Sequence, residues 1–275
     1  MMQHNIRLLI MGCLWLVLCL PTASGQDARW EEYTTAGKEA LTQGDYAEAE
    51  KMLLSALQVS QTISQQDPLV TLSLHNLGRL YYAQGKYAMA EPLYRRLVAI
   101  AEKGSGPRAS LSVAQRLANL ADIYRLQGKF TEAEPLYLRS LAIIEKTAGP
   151  DHPELALSLN NLAALYYERG YYHKAEPLYQ RALAILEKIV GPDHQHVALS
   201  LNNLAGLYFA RRNYIAAEPL YRRLLAILEK TLGPEHPNVA LALGSYAALL
   251  RATNREEEAA KLVARAEAIQ AKHTQ

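Results

Sequence analysis

The sequence repeats itself at a fixed interval, and this limits the chain to architectures built from one copied unit. Leu159-Asn160-Asn161-Leu162-Ala163 returns as Leu201-Asn202-Asn203-Leu204-Ala205, 42 residues later. Ala-Glu-Pro-Leu-Tyr stands at Ala90, Ala133, Ala175 and Ala217, spaced 42 or 43 residues apart, with weaker copies anchored at Ala49 and Ala259. Six copies therefore span about Trp30 to His273, with boundaries near 30–66, 67–108, 109–151, 152–193, 194–235 and 236–273.

Each copy reads as two helices. Leu155, Leu159, Leu162, Ala163 and Tyr166 form one apolar stripe at helical spacing, and Ala175, Leu178, Tyr179, Ala182, Leu183 and Leu186 form another. Gly44, Gly85, Gly128 and Gly170 mark the turn between them, replaced by Arg212 and Asn254 in the last two copies. Glycine at that point can take positive φ and end the first helix. No segment alternates with period two, so strands are not expected.

Two columns of small residues explain the pairing of these helices. One holds Gly37, Gly78, Ala121, Ala163, Ala205 and Ala247, and the other is alanine in all copies, from Ala49 to Ala259. Small residues on both partners let the backbones approach closely. Gly149-Pro150-Asp151-His152-Pro153 and its counterparts at Gly191 and Gly233 join one pair to the next. Such short links force successive pairs to stack side by side. The expected fold is an all-α, right-handed α-solenoid of about six helix-turn-helix repeats.

The N-terminus reads as a targeting segment. Arg7 precedes an uncharged apolar run from Leu8 to Leu20, followed by Pro21 and by Ala23-Ser24-Gly25. This matches a signal peptide, residues 1–25, cut after Gly25, leaving 26–275 as the repeat domain in an exported, periplasmic or secreted protein. Retained uncut, the segment would be a membrane anchor. Cys13 and Cys19 are the only cysteines, so the mature chain would hold none, which excludes thiol catalysis and zinc–thiolate sites. A net charge of +2 on 275 residues lacks the basic excess that phosphate neutralisation requires, arguing against a nucleic-acid partner.

Leu-Asn-Asn-Leu-Ala, a following Tyr, Gly85-Lys86-Tyr87, Ala-Glu-x-x-Tyr, Arg181-Ala182-Leu183 and Gly-Pro-Asp-His-Pro together resemble a tetratricopeptide repeat, specifically the long-repeat type of kinesin light chains. The signal segment departs from a cytosolic motor adaptor, so the resemblance implies a shared fold and not a shared partner. It further implies that the first helices line a concave groove that grips a protein or peptide. By register the groove residues would be His75, Asn76, Arg79, Asn119, Asp122, Arg125, Asn160, Asn161, Tyr167, Asn202, Asn203 and Phe209, with Tyr82 adding apolar floor.

Asparagine both donates and accepts, so a row of them can pair with an extended backbone of any sequence. Arg79 and Arg125 could select a carboxylate. The same asparagines can instead bond between adjacent helices, and the arginines can simply be solvated. Tyrosines at the repeated positions Tyr81, Tyr124, Tyr166, Tyr208, Tyr94, Tyr137, Tyr179 and Tyr221 read as core. The loop histidines His152, His194 and His236 can cap helices or, as a row, bind metal; capping is the simpler use, and no metal or cofactor is expected. Glu50, Glu91, Glu134, Glu176 and Glu218 recur with the repeat and read as scaffold.

No nucleophile elbow, phosphate-cradling loop or His-Glu-x-x-His motif occurs. The expected function is a non-catalytic protein- or peptide-binding scaffold. The alternatives are a structural or self-associating spacer and an accessory subunit of an envelope assembly or export complex. The final helix, with Glu256-Glu257-Glu258 at its start and Leu262, Val263, Ala266 and Ile269 on one face, can cap the stack, leaving weak end-to-end association open.

Overall fold

The computed structural model describes residues 23–63 and 68–273. The apolar run Leu8–Leu20 and both cysteines lie outside them. Among the described residues there are twelve α-helices and no strand. None of these helices is long and apolar enough to cross a membrane. The described residues divide into two compact units, with the boundary between Leu80 and Tyr81.

The first unit holds α1 (Ala23–Thr42), α2 (Tyr46–Ile63) and most of α3 (Pro68–Ala83). The predicted cleavage point falls in the first turn of α1. Helices α1 and α2 pair through the expected small residues. Ala49 and Ala56 are fully buried, and a Cβ added to Gly37 would sit 2.8 Å from the Leu53 side chain. The Trp30 indole donates to Ser73 Oγ at 2.7 Å, tying α1 to α3.

The second unit contains α4 (Tyr87–Ala101), α5 (Pro107–Leu126), α6 (Phe130–Ala148), α7 (Pro153–Glu168), α8 (Tyr172–Val190), α9 (Gln195–Ala210), α10 (Tyr214–Leu232), α11 (Pro237–Ala252) and α12 (Glu256–His273). Helices α5, α7, α9 and α11 pack on α6, α8, α10 and α12 respectively, and each pair packs on the next. First helices of successive copies also touch directly, α5 on α7 and α7 on α9. The unit is therefore a solenoid of stacked helix hairpins. Both small columns are at 0 % exposure where they cross, from Ala121 and Ala133 to Ala247 and Ala259.

Tyrosine outnumbers phenylalanine 17 to 2, and the stack shows why. The rings of Tyr166, Tyr208 and Tyr246 are buried or half-buried, and their hydroxyls reach the preceding repeat. Tyr166 donates to Glu134 at 2.8 Å, Tyr208 to Glu176 at 3.0 Å and Tyr246 to Glu218 at 2.9 Å. Each of those carboxylates also takes a cation from the same following turn: Arg169, Arg211 and Arg255. A phenylalanine could fill the volume but would leave the glutamate one donor short. Burial first, and then the bond to Glu134, push the Tyr166 hydroxyl up to about 12.

The turn glycines Gly85, Gly128 and Gly170 do have positive φ, and Arg212 and Asn254 adopt it too, at 58° and 60°. Asparagine tolerates this region, whereas arginine carries the usual Cβ penalty. Arg212→Gly should therefore stabilise the chain by about 1 kcal/mol, read as a higher urea midpoint. A lower midpoint would show that the arginine side chain itself matters there.

Pro92, Pro135, Pro177 and Pro219 lie inside α4, α6, α8 and α10, at the sixth helical position. Each removes one i→i−4 bond. The residues concerned are exposed, as are Ala88, Thr131, His173 and Ile215 four positions earlier, so water can reach the freed carbonyl and the helices run on.

The loop histidines are caps. Nδ1 of His152, His194 and His236 accepts from the backbone N–H two residues on, at 3.3, 3.2 and 3.1 Å, satisfying a donor that the helix leaves open. Among the described residues no three His, Cys, Asp or Glu side chains cluster as metal ligands would.

Candidate functional site

Helices α7, α9 and α11 each bury one stripe and leave another exposed or half-buried. On α7 that second stripe runs Leu157, Asn161, Ala164, Glu168, at helical spacing. On α9 it runs Leu199, Asn203, Gly206, Ala210, and on α11 Leu241, Ser245, Ala248, Ala252. The leucines are the unexpected members. Leu157, Leu199 and Leu241 are 59 %, 56 % and 65 % exposed. Sequence reasoning missed them because leucine in a helical repeat reads as core. The available signal was their phase, since Leu157 stands two residues from Leu155 and so turns away from the buried stripe.

The predicted asparagines divide. Asn160 was expected to line the groove; it is instead buried, at 7 % exposure, and its Nδ2 donates to Ser200 Oγ on α9 at 3.0 Å. Asn161 donates to Asp122 Oδ2 on α5 at 3.1 Å. Both bonds hold neighbouring repeats in register. One repeat later the acceptors are gone: Ala242 stands where Ser200 did, and Ala164 where Asp122 did. Asn202 is consequently exposed, Asn203 is half-buried, and neither makes a side-chain hydrogen bond within the described residues. The same asparagine pair is scaffold on α7 and unspent on α9.

Asp122 and Arg125 belong to a polar cluster. The Tyr137 hydroxyl donates to Asp122, Arg125 Nε lies 3.7 Å from Asp122 Oδ1, and Arg125 pairs with Glu168 on α7. Burial pushes the Asp122 carboxyl above the usual carboxylate range, with the bonds from Tyr137 and Arg125 pulling the other way. Burial likewise raises the Tyr137 hydroxyl, reinforced by the Asp122 charge. Burial would lower Arg125, but Tyr137, Glu168 and Asp122 outweigh it and hold its pKa up. The expectation that Arg125 is open to a ligand carboxylate is thus corrected, because the chain's own acids occupy it.

Among the remaining predicted residues, Asn119 is half-buried on α5. Tyr167 packs on Tyr172 and Phe209 on Tyr214, ring centres 5.6 Å apart in both cases. His75 and Asn76 are half-buried and Arg79 is exposed, all on α3 in the first unit.

These features define an all-α repeat scaffold whose first helices differ from copy to copy in the side chains left exposed. Tetratricopeptide repeat models match residues 40–103, 112–188 and 196–272, and the chain belongs to the tetratricopeptide repeat family. It is similar to the kinesin light chain-type TPR-like repeats of Podosopora anserina, with 31% identity over 73% of this chain and 95% of that one, at a TM-score of 0.62. BtubC (BKLC) from P. vanneervenii shares the fold at 21% identity and a TM-score of 0.67, covering 92% of this chain and 93% of that one. So does the apo form of RapI, at 15% and 0.64, over 89% and 98%. No curated protein matches the chain.

Proposed function

We propose that the protein is a non-catalytic, exported scaffold that binds a protein or peptide along the first-helix face of its second unit. One observation carries this reading: Asn202 and Asn203 present amides that the scaffold does not use, between exposed Leu199 and the Phe209 ring. A buried amide without partners would be costly, whereas at an open face it can bond to an incoming backbone. Export rests on the apolar run Leu8–Leu20 ahead of Ala23-Ser24-Gly25, and the intact mass of chain recovered from the native cell, set against a start at Gln26, checks it.

The binding test is affinity capture from the native compartment with the double variant Asn202→Ala, Asn203→Ala. Asn202 is exposed and Asn203 half-buried, and neither side chain bonds to another described residue, so the helical circular dichroism should not change while partner recovery falls at least tenfold. Undiminished recovery would overturn the reading.

A further inference from the structure

The ion pairs that join successive copies of the second unit all point one way. The glutamate after the column alanine of each second helix takes a cation from the copy that follows, from Glu91 with Lys129 to Glu218 with Arg255. A second row near the C-terminal ends of the same helices does likewise, from Glu102 with Arg139 to Glu229 with Arg265. Apolar packing has the same polarity. Leu183 and Leu186 on α8 pack against the core built by α9 to α12. At the same register on α10, Leu225 and Leu228 are 9 % and 7 % exposed within that core.

A stack with acids and leucines offered forward and cations offered back has complementary ends. Left unaltered, such ends join head to tail in a contact that does not close. Helix α12 is altered at each of these positions. The two acid positions hold Ala260 and Ala271, and the two leucine positions hold Glu267 and Gln270, all four exposed. A copy stacked on this face would bury the Glu267 carboxylate where the interior copies bury a leucine. It would forgo the apolar gain and would find no carboxylate for its own arginines. The first copy is altered in the complementary sense. Its counterparts of the ladder cations are Gln43 or Asp45 in the turn and Ser55 on α2, so a second chain arriving by that copy brings no cation.

We propose that α12 closes the stack: no second copy of this chain adds to its outer face, and the protein stays a single molecule in solution. The closure concerns the end of the stack and is independent of what the first helices bind.

Sedimentation velocity over a hundredfold concentration range tests it on protein purified from the native compartment. The natural chain is run beside a variant that restores the interior residues, Ala260→Glu, Ala271→Glu, Glu267→Leu and Gln270→Leu. The natural chain should sediment as a monomer throughout. The variant should keep its helical circular dichroism, because all four positions are exposed, and should shift to larger species as concentration rises. Should the fourfold variant fail to fold, the pair Glu267→Leu, Gln270→Leu carries the test, with the same shift expected. Association of the natural chain, or a folded variant that stays monomeric across the range, would overturn the proposal. Neither outcome bears on partner capture by Asn202 and Asn203, so the two readings fail separately.

Discussion

Ala175→Leu should destabilise the chain by about 1–3 kcal/mol, because the crossing of α7 and α8 has no room for a larger side chain. Ala175 and Ala163 are both at 0 % exposure, and Tyr166 and Tyr179 already fill the space around the crossing. The extra atoms must push the helix backbones apart or force neighbouring side chains off their rotamers. For a chain of this size the thermal midpoint should drop by several degrees, at about 2–4 °C per kcal/mol. Ala184→Leu on the same helix is the control. Ala184 is exposed, so its midpoint should hold within about 0.5 kcal/mol. Equal midpoints for the two variants would contradict the close pairing of the helices.

The second large effect is expected at Asp122. Its carboxyl accepts from Tyr137 and from Asn161, and alanine in its place leaves both donors without that acceptor. The loss should be about 2–4 kcal/mol, with Asp122→Asn milder because its amide oxygen can still accept. The same residue gives a pH signature. Burial holds the carboxyl above the usual range in the folded chain, so the folded state binds more protons than the unfolded one in the window just above the ordinary aspartate value. Its contribution is fully present below that value and is lost as pH rises through the raised one. Carboxylates held low, such as Glu91 and Glu218, act in the opposite sense but are common to both proteins. Stability of the natural chain relative to Asp122→Asn should therefore fall as pH rises from about 4, in parallel urea titrations. A difference that grows with pH would mean that the carboxylate is stabilised in its charged form.

The repeat, the helix pairs, the small columns and the histidine caps were legible because they recur, and a recurring residue answers to a recurring local geometry. The site was less legible because it depends on where the copies differ. Asn160 and Asn202 occupy the same register, but one meets Ser200 and the other Ala242, a distinction made by a residue about 40 positions away. Arg125 read as a ligand-binding cation because Glu168, its partner, lies on the next first helix. The exposed leucines were hidden by their own identity, since leucine in a helix is ordinarily counted as core. Glu134, Glu176 and Glu218 read correctly as scaffold, while their tyrosine and arginine partners became apparent only across the repeat boundary.

The most direct measurement places a photo-crosslinking amino acid at Leu199 and, in a separate chain, at Ile215, followed by irradiation in the native compartment. Ile215 is 91 % exposed but belongs to the second helix of its pair. The account predicts a discrete crosslinked partner from position 199 and none from position 215. The same partner from both positions, or from position 215 alone, would contradict it.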